Sequence, residues 1–350
     1  MVPMKQTLGF LAATLSLGLL SGCSATPVSS TPTPVDYKVC LVSDQNGFGD
    51  NGINQAAYFG LLQSEAQLGP MTSAVELSPS DSEYKATHAV QTLVNRKCSL
   101  IFAVGQVNVA GVRAAAKRNP ELRFALLDAQ LTDATGLELT MPNVVSVSFD
   151  DILAATQAGY LAASQAKNGM VGVIGDTNSN QTVSAILAFR DGVKQFNTAH
   201  QTQVSVIGAD SSDSSTWRLI GNVPAPARVE ANVRDLLGSG ASVVFGVNVS
   251  NLAVAKAVAK FPGTSMIGWN SDLYLDPDFA TYKSTLLASI RKSVSEELVA
   301  IAQSAMAGTF AQGVISSNAD GQALVDITSE HEISFGPGIA AELQSLTPTL

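Results

Sequence analysis

The sequence predicts an α/β protein: two doubly wound, parallel-sheet lobes joined by a hinge. Three observations predict it. From residue 37 onward, short β-rich apolar runs alternate with helical patterns of Ala, Leu, Gln and charge, the signature of a parallel sheet covered on both faces. The cycle restarts at residue 151, so the same architecture occurs twice. Nearly every expected strand then ends on Asp or Asn, at the sheet edge where open α/β folds place their ligand sites.

The elements follow in order. Val39–Ser43 reads as the first strand, with Asn54–Ala66 as its helix, and Met71–Leu77 as a second strand before a helix over Ser82–Asn95. Leu100–Val104 and Arg123–Leu127 are the third and fourth strands, separated by a helix over Ala110–Arg118, and Val144–Ser148 is the fifth. The second half opens on a helix, Asp151–Gln165, rich in Ala and Gly for close packing. Gly169–Ile174, Val204–Gly208, Ser242–Val247 and Ser265–Gly268 are its strands, and Thr182–Phe196, Ala225–Gly238 and Asn251–Lys260 its helices. One more strand and helix, Thr285–Ile290 and Ser293–Ala307, and a final strand over Gln322–Ile327 complete the chain. The expected lobes are 37–150 with 273–305, and 151–272 with 306–350.

Two such sheet edges facing one another across a hinge enclose a cleft. The polar residues just past each strand are therefore the candidate site: Asp44 to Asn54, Gly105 to Asn108, Asp128, Asp176 to Asn178, Asn248 to Asn251, and Asn270 to Asp272. Asp and Asn also serve as ordinary turn and helix-cap residues, but their recurrence in both halves favours a shared task.

Residues 1–22 read as a signal peptide, with Lys5 as the positive start and Leu8 to Leu20 as a short uncharged apolar core. It ends in Leu20-Ser21-Gly22-Cys23, the pattern in which a cysteine thiol takes a diacylglycerol and cleavage frees its amine. Residues 23–36, rich in Ser, Thr and Pro, form the expected tether, which would hold the rest of the chain on the outer side of the cell membrane.

A hydrophobic content of 46% against 14% charge supports large cores, and the net charge of −9 without basic clusters argues against nucleic acid as a partner. Histidine occurs only at 88, 200 and 331, with no HExxH, CxxC or Cys/His cluster, so neither a metal nor another cofactor is expected. No GxSxG elbow and no P-loop is present, and no catalytic residue is expected. Cys40 and Cys98 are either a disulfide or two buried thiols.

The run LVSDQNGFGDNGINQAAYFGL (Leu41 to Leu61) resembles the opening motif of the basic membrane lipoprotein family, also called the purine nucleoside receptor (PnrA-like) family. Asp44, Asp50, Asn54, Ala57, Gly60 and Leu61 match its pattern. RNPELRFALLD (Arg118 to Asp128), AGYLAASQAKNGMVGVIGD (Ala158 to Asp176), AFRDGV (Ala188 to Val193), GASVVFGV (Gly240 to Val247), IGWNSD (Ile267 to Asp272) and SIRK (Ser289 to Lys292) resemble later family segments in the same order. The resemblance implies a type I periplasmic-binding-protein-like fold. It implies the substrate-binding lipoprotein of an ABC importer, with permease and ATPase subunits as partners and a purine nucleoside as ligand.

The resemblance also implies site residues. Asn54 and Asp128 match the positions that hold the purine, and position 270 and Lys292 those that hold the ribose hydroxyls; Asp44 and Asp272 accompany them. The sequence departs from the pattern at two stacking aromatics, which are Ile53 and Val223 here, and at a motif carboxylate replaced by Asn270. Phe48, Trp217 and Trp269 are the candidate replacements for the lost aromatic faces. A sugar or another small polar solute is the alternative ligand, sensing is the alternative to import, and a surface nucleoside hydrolase stands last.

Overall fold

Uninterrupted apolar runs build the sheets. Val39–Val42, Leu100–Val104 and Val243–Val247 are buried at every position, which requires cover on both faces. The computed structural model describes residues 35–350 apart from 51, 178, 222–224, 317–323, 329–336 and 350. The expected signal peptide, most of the tether, Cys23 and Val223 lie outside the described residues.

The first half runs β1 (Val35–Val42), α1 (Ile53–Leu68), β2 (Pro70–Val75), α2 (Glu83–Asn95), β3 (Leu100–Val104), α3 (Val109–Arg118), β4 (Arg123–Leu127) and β5 (Val144–Val147). The second runs α4 (Ile152–Ser164), β6 (Met170–Gly175), α5 (Asn180–His200), β7 (Ser205–Ile207), α6 (Pro226–Gly238), β8 (Val243–Val247), α7 (Asn251–Val258), β9 (Ser265–Gly268) and β10 (Leu286–Lys292). The chain closes with α8 (Val294–Met306), β11 (Gly313–Ile315), β12 (Val325–Thr328) and α9 (Pro337–Ser345).

Two six-stranded sheets result, ordered β11-β5-β4-β3-β1-β2 and β12-β10-β9-β8-β6-β7. All pairings between these strands are parallel except β10 with β12. The orders superimpose, so β1, β3 and β4 correspond to β6, β8 and β9. The final segments divide differently from the expected lobes. Leu286–Lys292, expected in the first lobe, lies between β9 and β12 in the second sheet. Its buried run from Leu286 to Ile290 demands an interior position, and either sheet could have met that demand. The helix α8, expected with it, does pack on the first lobe, against α1. In the C-terminal stretch expected in the second lobe, β11 instead joins the first sheet. The chain thus crosses between lobes from β5 to α4, from β10 to α8, and from β11 to β12.

Helices α2 and α3 cover one face of the first sheet, and α6 and α7 one face of the second, each with its own apolar cluster. The remaining faces share one cluster that runs from Val39 and Phe102 through α1, α8, α4 and α5 to Phe245 and Trp269. Close backbone approach holds its centre. A side chain on Gly159 of α4 would strike the Phe189 carbonyl oxygen, and one on Gly192 of α5 the Thr156 carbonyl oxygen. The Cys40 and Cys98 sulfurs are joined as a disulfide, with Cα atoms 6.0 Å apart, on the outer face of the first sheet.

Candidate functional site

The carboxyl ends of the central strands face one another across a cavity of about 400 Å³. Its walls come from both lobes: Asp44, Asp50, Gly105 and Asp128 from the first, Asp176, Asn248, Trp269 and Asn270 from the second. The corresponding strands contribute corresponding residues. Asp44 follows β1 as Asp176 follows β6, Gly105 follows β3 as Asn248 follows β8, and Asp128 follows β4 as Asn270 follows β9.

The last two pairs share an unusual backbone. Gly105, Asp128, Asn248 and Asn270 all have positive φ, at 78°, 57°, 53° and 73°. That region penalises side chains other than those of Asn and Asp, and such strain concentrates where a rigid scaffold must aim a polar group.

In the loop after β1, Asn54 donates from Nδ2 to Asp44 Oδ1 (2.7 Å) and Asp50 Oδ2 (2.8 Å), while its Oδ1 accepts from the Asp44 backbone N–H (2.8 Å). Asp50 also caps the start of α1, accepting from the backbone N–H groups of Gly52, Asn54 and Gln55. Burial pushes the Asp44 carboxyl up to about 6, opposed by a hydrogen bond from the Asn46 backbone and assisted by the charge of Asp50. Burial also raises the Asp50 and Asp176 carboxyls above their usual range. Asn54, expected to touch ligand, is 0% exposed and off the cavity wall. Its two amide hydrogens go to the carboxylates, so it orients the residues that do line the cavity.

Across the cleft, Asp128 Oδ2 accepts from Lys292 Nζ (3.0 Å) and from Gln181 Nε2 (3.0 Å), leaving Oδ1 without a partner. Lys292 Nζ also lies 3.3 Å from Asp151 Oδ2. Burial works against the ammonium, yet the charges of Asp128 and Asp151 together outweigh it and hold the Lys292 pKa above the ordinary value. Its side chain is 0% exposed, so Lys292, expected to touch ligand, is walled off from the cavity behind Asp128.

On the other rim, Asn248 Oδ1 accepts from Trp269 Nε1 (2.8 Å). The Asn251 side chain clasps the Trp269 backbone through both its oxygen and its nitrogen (3.1 and 2.8 Å), fixing the end of β9. Asn270 lines the cavity wall, and its Oδ1 is buried without a hydrogen-bond partner.

Among the proposed aromatic replacements, Trp269 lines the cavity, as does Ile53. Phe48 stacks instead on Tyr58 at 4.9 Å, and Trp217 is packed under Arg190 with its Nε1 donating to the Ser211 carbonyl. Asp272 turns back to accept from the Tyr274 backbone N–H (3.1 Å) and is off the cavity wall. Gln181 and Asp151 were not legible as site residues, whereas Gln106, within the expected stretch Gly105 to Asn108, does line the cavity. Gln181 and Asp151 begin helices, positions that look like ordinary punctuation in sequence.

Among the described residues, no group of three or more His, Cys, Asp or Glu is placed to hold a metal ion. None of the described helices is long and apolar enough to cross a membrane. The arrangement supplies acceptors from carboxylates and two-way hydrogen bonding from amides, on walls that belong to separate lobes. That chemistry suits reversible enclosure of a polar molecule.

Comparison with known proteins agrees. The ABC transporter nucleoside-binding protein BmpA of Lactococcus lactis is 27% identical over 320 residues, covering 87% of this chain and 85% of its own. An uncharacterized lipoprotein of Pyrococcus horikoshii is 22% identical over 243 residues, 69% of this chain and 55% of its own. The crystal structure of an ABC transporter solute-binding protein from Aeropyrum pernix K1 shares the fold, with a TM-score of 0.69 at 23% identity, covering 90% of this chain and 82% of that one. The profile of one family, ABC transporter substrate-binding protein PnrA-like, matches residues 37–318. The chain belongs to that family, whose members are substrate-binding proteins of ABC transporters and not enzymes.

Proposed function

We propose that this chain captures a purine nucleoside in the cavity between its lobes and delivers it to the permease of an ABC importer, while anchored to the outer face of the cell membrane through a lipid on Cys23. The observation that carries the reading is the free Oδ1 of Asp128, held at the cavity wall by a strained backbone and backed by a buried ammonium. A carboxylate oxygen in that setting accepts from a ring N–H or a hydroxyl. The Asp44–Asp50 pair offers further acceptors, within a volume in the range typical of small-ligand sites. The similarity to a nucleoside-binding relative supports the same ligand class.

A second reading, capture of a sugar, is favoured by one specific observation. Ile53 stands in the cavity wall where the family pattern has a stacking aromatic, and the remaining lining is dominated by acceptors suited to hydroxyls. Calorimetric titration with inosine, guanosine, adenosine and D-glucose separates the two. Micromolar binding of a nucleoside is expected, and binding of glucose alone would transfer the function to the sugar reading. Asp128→Asn is expected to weaken nucleoside binding by at least about tenfold through loss of a charge-assisted hydrogen bond. Unchanged affinity would remove Asp128 from the site.

A further inference from the structure

Three charged side chains meet where the chain crosses between lobes. Asp128 follows β4, Asp151 stands on the first crossing at the start of α4, and Lys292 ends β10 on the second. Lys292 Nζ lies 3.0 Å from Asp128 Oδ2 and 3.3 Å from Asp151 Oδ2, with the rings of Phe149 and Trp269 at 5.7 and 5.3 Å. Of the three, Asp128 alone lines the cavity. Asp151 is 6% exposed, and its Oδ1 is buried without a hydrogen-bond partner.

Two desolvated carboxylates thus compete for one ammonium. Whatever share Asp151 takes from Lys292, Asp128 loses, and Asp128 is the member that faces a ligand. We infer that Asp151 is a positioning residue for ligand capture, acting through Lys292 to set how much of the Asp128 carboxylate is left free for a ligand donor. The inference rests on the reading of Asp128 given above.

The coupling has a definite sign. Burial pushes the Asp151 carboxyl up to about 7; the charge of Lys292 opposes the rise, and those of Asp128 and Asp150 assist it. The other charged neighbour on β10, Arg291, is turned away toward Glu296 and Asp326. A ligand N–H or O–H arriving at Asp128 Oδ1 weakens that carboxylate's hold on Lys292. The ammonium then shifts toward Asp151, the ionised form of Asp151 is favoured, and its proton leaves for solvent. By linkage, binding that releases a proton tightens as pH rises through the Asp151 titration.

The test begins without ligand. The Asp151 carboxyl carbon resonance, assigned by its loss in Asp151→Asn, is expected to titrate near pH 7. A midpoint in the ordinary carboxylate range overturns the inference. With inosine and D-glucose as probes, affinity for the one that binds is expected to rise about threefold from pH 6 to pH 8. Asp151→Asn should keep binding but lose that rise, and Asp151→Glu, which restores the charge, should recover it. A rise that survives in Asp151→Asn overturns the inference. If Asp128→Asn leaves binding intact, the capture reading falls. If it abolishes binding while the unaltered protein is flat with pH, the inference alone falls. If neither probe binds, the capture reading falls and the ligand-free titration still decides the coupling of Asp151 to Lys292.

Discussion

Gln181 Nε2 donates to Asp128 Oδ2 across 3.0 Å, so a side chain at the start of α5 reaches over the cleft to the opposite lobe. Its own oxygen accepts from Asn248 Nδ2 at 3.4 Å, which steadies the reach. A hydrogen bond to a charged group contributes roughly 1.5–3 kcal/mol net. Gln181→Ala is therefore expected to shift the ligand-free protein toward an open form, read as a larger radius of gyration by small-angle scattering. An unchanged scattering profile would show that this contact does not hold the lobes together.

Replacing the buried cation should be costly. Lys292→Met keeps the length of the side chain and leaves Asp128 and Asp151 facing one another with no ammonium between them. Breaking a buried ion pair from one side costs about 3–5 kcal/mol. Urea unfolding of the variant is expected to show a loss of that order, partly recovered when Asp151→Asn is added. A loss under about 1 kcal/mol would mean that water reaches the site.

The raised carboxylates make a prediction about pH. Asp44 and Asp151 titrate at about 6 and about 7 in the folded chain, against about 3.9 for an unperturbed aspartate. The folded state then binds more protons than the unfolded one between roughly pH 4 and pH 7, and stability falls as pH rises through that window. Ligand-free protein should therefore resist urea better at pH 5 than at pH 8, by on the order of 1–3 kcal/mol, and the double variant Asp44→Asn/Asp151→Asn should flatten the profile. Greater resistance at pH 8 would contradict the assigned directions.

The disulfide between Cys40 and Cys98 spans 58 residues. Closing a loop of that size restricts the unfolded chain by about 4 kcal/mol in the chain-entropy description. Cys40→Ser/Cys98→Ser should lose stability on that scale in equilibrium unfolding while leaving ligand affinity unchanged, because the bond lies on the outer face of the first sheet, away from the cavity.

Much of the architecture was legible because parallel strands buried on both faces leave unbroken apolar runs, as in Leu100–Val104 and Val243–Val247. The close packing of α4 was foreshadowed by the Ala and Gly of its sequence, Gly159 among them. Which sheet receives β10 was not legible, since its run from Leu286 to Ile290 would be equally content in either. In the site, the strand-end rule found Asp44, Asp128, Asn248 and Asn270, whose positions follow from the sheet order. It could not rank first contact against support. Asn54 and Lys292 carry suitable chemistry, but their hydrogen bonds are spent on neighbouring carboxylates, and that is a matter of side-chain direction that no spacing encodes.

The left-handed backbone at positions 128, 248 and 270 limits how this pocket can change over evolutionary time. Most other side chains would meet a penalty of about 1–2 kcal/mol there before touching any solute. Drift at the rim is thereby channelled into a three-letter alphabet of Asp, Asn and Gly: a charged acceptor, a neutral amide, or bare main chain. Asn270, standing where the family resemblance implies a carboxylate, is a move within that alphabet, and it retunes polarity without disturbing the scaffold that presents it.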